Sequence, residues 1–202
     1  RVIDLIYSII AIIFAVSLDE FAHAWMANRL GDPTARVFGR MTLNPLKHFD
    51  LFGTISLIIF GIGWGKPVPI NPENFRSPKK DSALVALAGP LSNLLTAFVV
   101  AVPLKYFGRS DLISNIFAIS ILLFALNILP FPPFDGSKII GLIIPNKWHA
   151  AYEDYLQNGV KYVILFILFD VLVLKEILGF SLLHFVVMKI TTWIIAIISL
   201  GT

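Results

Sequence analysis

The sequence contains no cysteine and few charged side chains. Of its 202 residues, 14% are Asp, Glu, Lys or Arg, whereas 57% are hydrophobic, and the mean hydropathy is +0.82. The absence of cysteine excludes disulfides and thiol catalysis. Soluble domains carry about 25% charged residues, so this composition excludes an ordinary water-soluble globule and predicts an integral membrane protein in a lipid bilayer.

The formal net charge is +3, which in a soluble protein could indicate a nucleic-acid partner. Here the basic residues lie between apolar runs, so we attribute them to membrane orientation and expect no nucleic acid. The connections 29–50 and 65–82 are rich in Lys and Arg, whereas the connection near 105–111 has only Lys105 and Arg109. This asymmetry predicts that the 29–82 side faces the cytoplasm.

The apolar segments predict the architecture, because about 20 apolar residues cross a bilayer as a helix. The candidate spans are 2–30, 83–104, 112–129, 160–174 and 181–200. The run 51–64 is too short to span and predicts a re-entrant segment, and "GWGKPVPINPENF" (63–75) predicts a hairpin or loop at the membrane surface. We therefore expect one all-α polytopic membrane domain over 1–202. It would have about four to six transmembrane or partial helices, with the re-entrant segment and hairpin near 51–75.

The stretch "SLDEFAHAW", residues 17–25, ends the first apolar run and lacks one residue of the zinc-protease pattern H-E-x-x-H. Asp19 and His23 are four residues apart, so a helix presents both on one face, and Glu20 can point into the same cavity. Two helical ligands with a neighbouring glutamate that activates water are typical of zinc proteases. Charged groups inside a membrane helix are costly, which favours a functional site. The alternative is that they lie outside the hydrocarbon at a helix end.

A second motif, "NILPFPPFDG" (127–136), follows the apolar segment 112–129. Prolines expose backbone carbonyls, which a membrane tolerates only where protein or water satisfies them. Asp135 in this motif suits a third metal ligand. An Asp-Gly turn at the membrane surface is the alternative.

Together with "GKPVPINP" (65–72) and "AGPLSN" (88–93), these motifs resemble the site-2 protease family of intramembrane zinc metalloproteases, in its compact prokaryotic branch. The resemblance covers about the first 145 residues. It implies a multi-pass protein of a prokaryotic cell membrane that hydrolyses peptide bonds in transmembrane segments of protein substrates.

The resemblance also implies a site. A Zn²⁺ ion would be bound by the residue at position 19, by His23 and by Asp135. Glu20 would be the general base. Asn93 would help to hold a substrate backbone or an oxyanion, although asparagines in membrane helices more often bond a neighbouring helix. The segment 63–75 would either pair with an unwound substrate or serve as a plain loop. A homo-oligomer is left open.

Asp19 departs from the family, which has histidine there. Three interpretations follow: the site is inactivated, it is altered but still binds metal with weak activity, or the helix has an unrelated role. Two rival functions are a pseudoprotease that binds membrane helices without cutting them and a carrier of protons or cations.

Overall fold

The computed structural model describes residues 2–50, 65–108 and 110–201, and within them the fold is all-α. The predicted re-entrant segment 51–64 lies outside the described residues. The helices in chain order are α1 (Val2–Arg29), α2 (Thr34–Val37), α3 (Pro78–Tyr106), α4 (Asp111–Asn127), α5 (Gly136–Ile139), α6 (His149–Phe169), α7 (Lys175–Leu178) and α8 (Leu182–Gly201). A π-helical turn, Asp170–Leu174, joins α6 to α7.

Three described helices are long and apolar enough to cross a membrane by length and composition: α1, α3 and Leu182–Ser199 of α8. Helix α4 is apolar but shorter, and the predicted span 160–174 lies within the continuous run of α6, the π turn and α7. These features confirm the predicted all-α class and fit a membrane protein. The described part of the predicted hairpin, 65–75, forms a single antiparallel bridge between Phe49 and Gly65.

Helices α1, α3 and α4 pack pairwise against one another. Helix α3 is central, since 44% of the residues in its 18-residue apolar stretch are buried, against 22% in that of α1 and 17% in that of α8. The buried positions on α1 and α3 are mostly small: Ala11, Ala15, Ala24 and Ala27, and Ala83, Ala86, Ala88, Gly89, Ala97 and Ala101. Small side chains let helix backbones approach closely, as is typical of helix packing in membranes.

Asp170 is a buried acid inside the predicted span 160–174, and its role is structural. Its carboxylate accepts hydrogen bonds from Ser181 Oγ (2.5 Å), Leu182 N (2.7 Å) and Leu183 N (3.2 Å). The first N–H groups of a helix have no partner inside the helix. Asp170 therefore caps α8 from the π turn of the preceding helix.

Asp32 fastens the end of α1 to the segment 71–74. Helix α1 ends at Arg29, two residues before Gly31-Asp32-Pro33, which the sequence predicts as its stop. The fully buried Asp32 accepts hydrogen bonds from Thr34 N (3.1 Å), the Thr34 hydroxyl, Asn71 N (2.7 Å) and Asn74 Nδ2 (2.7 Å). Burial alone would raise the pKa of Asp32, but these hydrogen bonds hold it below the ordinary value of 3.8. Because the folded pKa is the lower one, the carboxylate stabilises the fold above the unfolded pKa, and this stabilisation is lost as the pH falls.

We predict that Asp32→Asn lowers the free energy of unfolding by about 2–3 kcal/mol at pH 7, because an amide N–H then faces buried donors. The thermal unfolding midpoint in detergent, followed by circular dichroism, measures this. The difference from the native protein should shrink as the pH falls below the ordinary value of 3.8, because the carboxyl then protonates in the unfolded chain and its ionised form stabilises the fold less. Glu176→Gln on exposed α7 is the control and should have no effect. Equal midpoints at pH 7 for Asp32→Asn and the native protein would contradict the assignment.

Candidate metal centre

Asp19, His23 and Asp135 converge on one point, although 112 residues of sequence separate the second from the third. His23 Nε2 lies 3.4 Å from Asp19 Oδ2 and 3.1 Å from Asp135 Oδ2. One candidate ligand atom from each residue lies within 4.8 Å of the other two. Asp19 and His23 are buried on α1, and Asp135 is half-buried just before α5. The structure thus brings together the three residues that the sequence suggested as ligands.

The spacing of these donors fits a metal ion. With metal–ligand bonds of about 2.0–2.2 Å, donors at the corners of a tetrahedron lie about 3.3–3.6 Å apart. The separations of 3.1 and 3.4 Å from His23 Nε2 are close to that value. Although aspartate is shorter than histidine, α1 places Asp19 Oδ2 only 3.4 Å from His23 Nε2.

Each of the three ligand candidates is also oriented through its other polar atom. His23 Nδ1 donates to the carbonyl oxygen of Val85 (2.7 Å), which leaves Nε2 facing the two carboxylates. Asp19 Oδ1 accepts from Asn93 Nδ2 at 2.8 Å and, at 3.5 Å, from Asn127 Nδ2. Ligands whose second atom is held by a non-ligand group are typical of metal sites, because the contact fixes their orientation.

Asp135 is held in a similar way on the opposite side. Its Oδ1 atom lies 3.6 Å from the ammonium group of Lys138, one turn further along the chain. Gly136 allows the turn, since a Cβ there would collide with the carbonyl oxygens of Ile128 and Leu129. The Asp-Gly pair of the second motif is therefore explained by close packing of the turn on the end of α4.

Gly89 on α3 makes room for the centre. A Cβ at this position would lie 2.5 Å from His23 Cε1 and 2.9 Å from Asp19 Oδ1, and it would overlap the His23 ring. Atoms of side chains do not approach that closely, so only glycine lets α3 pack on this face of α1. The motif "AGPLSN" thus supplies both the space at Gly89 and the donor at Asn93.

Glu20 lies beside the three ligands in the same cavity, which has a volume of about 470 Å³. Its Oε2 atom accepts a hydrogen bond from the Val68 N–H (3.0 Å). The segment containing Val68 is fixed in turn, since Lys66 N donates to His48 O (2.8 Å) and Arg40 donates to Lys66 O (2.5 Å). A half-buried carboxylate therefore lines the same cavity as the three candidate metal ligands.

Asn93 is fully buried, and its side-chain amide bonds Asp19 across the α1–α3 interface. This is the helix-to-helix bond that asparagines in membrane helices more often make. A contact between Asn93 and substrate stays a prediction. Three participants were not identified from the sequence: the Val85 carbonyl, the space at Gly89 and the ammonium group of Lys138.

Comparison with curated proteins finds relatives of the chain that are named as zinc metalloproteases. The chain is 37% identical over 175 residues, 80% of either protein, to "Putative zinc metalloprotease YwhC" of Bacillus subtilis. The chain belongs to the zinc metalloprotease family of YwhC. It is also 29% identical over 167 residues, 74% of this chain and 84% of the relative, to "Putative zinc metalloprotease MJ0611" of Methanocaldococcus jannaschii.

A third member of this group, "Putative zinc metalloprotease Rip2" of Mycolicibacterium smegmatis, is 30% identical over 135 residues, 61% of this chain and 52% of the relative. No family model matches the chain, and no solved structure matches it. All three relatives carry the name zinc metalloprotease, which agrees with a centre of three metal ligands and an adjacent glutamate.

We predict that Gly89→Ala disrupts the metal centre. The new methyl group would push α3 away from the His23 ring, so metal affinity should fall at least about tenfold, as when an outer contact to a ligand is lost. Metal titration of the purified variant in detergent measures this. Ser92→Ala, one turn away on α3, is the control and should bind metal like the native protein. Unchanged affinity in Gly89→Ala would contradict the assigned role of Gly89.

Proposed function

We propose that the chain is an intramembrane zinc metalloprotease of the site-2 type, a multi-pass protein that cleaves transmembrane segments of other membrane proteins. One observation carries this proposal: three oriented metal ligands and an adjacent carboxylate share a cavity among helices long enough to cross a bilayer. Membership of the YwhC family supports the protease function.

The depth of the site supports action inside the membrane. Helix α1 extends to Arg29, ten residues beyond Asp19 and six beyond His23. At 1.5 Å per residue, the ligands lie about 9–15 Å from the end of a helix some 40 Å long. A hydrocarbon core is about 30 Å thick. The ligands therefore lie about two to three turns before the end of α1, which supports a site within the membrane.

The chemistry follows from the positions of the side chains. A zinc ion in this centre would supply Lewis acidity that polarises a peptide carbonyl and makes water more acidic. Glu20 would accept a proton from the attacking water and deliver it to the leaving amine nitrogen. The Val68 N–H holds the Glu20 carboxylate in the cavity for both transfers.

The segment 65–72 is the proposed binding edge for the substrate backbone. Gly65, Pro67, Val68, Ile70 and Pro72 line the same cavity as the ligands and Glu20. An extended peptide that paired with this segment would lie beside the three metal ligands and beside Glu20. A helical peptide hides its carbonyls in hydrogen bonds, so the substrate helix would have to unwind before cleavage.

A pseudoprotease is the second candidate, and Asp19 is the observation that favours it. His23 lies between two carboxylates, 3.4 Å from Asp19 and 3.1 Å from Asp135. A protonated imidazole in that position can form ion pairs with both acids, so the centre has favourable contacts even without a metal ion. Such a protein would bind membrane helices without cutting them.

We predict that Glu20→Gln lowers the rate of cleavage of a transmembrane-helix substrate at least about 100-fold, because the general base is lost. Metal content should not change, since Glu20 is not among the three ligands. A liposome assay with zinc-loaded protein measures the rate, in the native chain and in Asp19→His. Glu73→Gln is the control. Cleavage by Glu20→Gln at the parental rate would refute the role of Glu20 as the base.

We predict that Asp19→His raises both the zinc stoichiometry and the cleavage rate, because imidazole suits zinc better than a second carboxylate does. Elemental analysis of the purified pair and the same liposome assay measure the two quantities. If neither quantity increases, the proposed correspondence between Asp19 and a zinc ligand is wrong. If zinc increases without cleavage, the metal centre stands and the pseudoprotease is favoured.

A further inference from the structure

We infer that Asp19 shifts the metal preference of this centre from zinc towards manganese. The inference rests on the metal centre of the proposed function but not on proteolysis. It concerns the ratio of the affinities for Zn²⁺ and Mn²⁺, because divalent zinc binds more tightly than manganese at most nitrogen and oxygen sites.

The first argument is the donor set. Asp19, His23 and Asp135 offer two carboxylate oxygens and one imidazole nitrogen. Catalytic zinc sites commonly use two or three imidazole or thiolate ligands. Carboxylate oxygens suit magnesium, calcium and manganese, whereas imidazole suits zinc, copper, iron and nickel. This centre has a single imidazole, so it lacks the second nitrogen ligand that would favour zinc.

The second argument is that Asp19 is positioned to act as a ligand and does not merely fill space in the core. Its Oδ2 faces His23 Nε2, while its Oδ1 is occupied by Asn93 and Asn127. The two amides therefore orient the carboxylate with one oxygen towards the shared point. Asp19 and His23 are each 7% exposed, so bulk water does not compete strongly for either side chain.

Charge balance is consistent with either dication and does not distinguish Zn²⁺ from Mn²⁺. The carboxylates of Asp19 and Asp135 together neutralise a charge of two, and Lys138 is half-exposed at the edge of the centre. An uncompensated charge is costly in a buried site. With histidine at position 19, a dication would leave one positive charge in the centre. The preference between the two ions therefore rests on the donor set and on the orientation of Asp19.

Competition titrations test the inference with metal binding as the readout. The purified native chain, Asp19→His and Asp19→Asn are titrated in detergent with Zn²⁺ or Mn²⁺ against a fluorescent chelator. We expect Asp19→His to raise the Zn²⁺-to-Mn²⁺ affinity ratio by at least about tenfold, comparable to other changes around metal ligands. Asp19→Asn, which keeps the size of the side chain, should weaken both metals. Electron paramagnetic resonance should detect bound Mn²⁺ in the native chain and less of it in Asp19→His.

Two controls distinguish a change in metal ligation from misfolding and from a general change in charge. Asp111→His changes an exposed acid at the start of α4 and should leave the ratio unchanged. Circular dichroism establishes that each variant keeps its helices. An equal Zn²⁺-to-Mn²⁺ ratio in the native chain and Asp19→His would overturn the inference. A native chain that binds neither metal, beside a zinc-binding Asp19→His, would overturn it as well.

The outcomes also distinguish this inference from the proposed function. A shifted ratio without cleavage under either metal would leave the inference intact and remove the protease. Cleavage by a native chain whose ratio equals that of Asp19→His would leave the protease intact and remove the inference.

Discussion

The contact of His23 with the carboxylates of Asp19 and Asp135 is the constraint on which the rest of the structure depends. Charged groups inside a membrane helix cost about 2.5–3.5 kcal/mol each on insertion scales, and α1 carries three ionisable residues within five positions. The neighbouring helices are arranged to offset that cost. Helix α3 supplies the Val85 carbonyl, the Asn93 amide and the space at Gly89.

Two other buried acids, Asp170 and Asp32, show by contrast why Asp19 and Asp135 are assigned as ligands. Asp170 is saturated by the N–H groups at the start of α8 and by a hydroxyl, so its geometry is that of a helix cap. Asp32 is likewise saturated by its loop and by segment 71–74. Asp19 and Asp135 instead turn one oxygen towards donors and the other towards His23. Burial alone therefore does not mark a site, whereas convergence on a common point does.

The sequence predicted those parts of the site that depend on local geometry. The spacing of Asp19 and His23 follows from 3.6 residues per turn, and the end of α1 follows from Gly31-Asp32-Pro33. Asp135 could be joined to them only by resemblance, because no local rule says which loop meets which helix. Gly89 and the partner of Asn93 were beyond prediction, since they depend on the rotation of α3 about its axis and on its distance from α1.

Glu20 bears on the choice between an enzyme and a protein that only binds helices. Favourable contacts between His23 and two carboxylates explain Asp19 in either case. Glu20 is different, because it adds a further half-buried acid beside two others and gains a backbone N–H from Val68. Repulsion between neighbouring carboxylates makes this arrangement costly. A surface that merely receives an apolar helix has no use for such a group, whereas hydrolysis requires a proton acceptor next to the reacting carbonyl. The position of Glu20 therefore favours the proposed hydrolysis over helix binding alone.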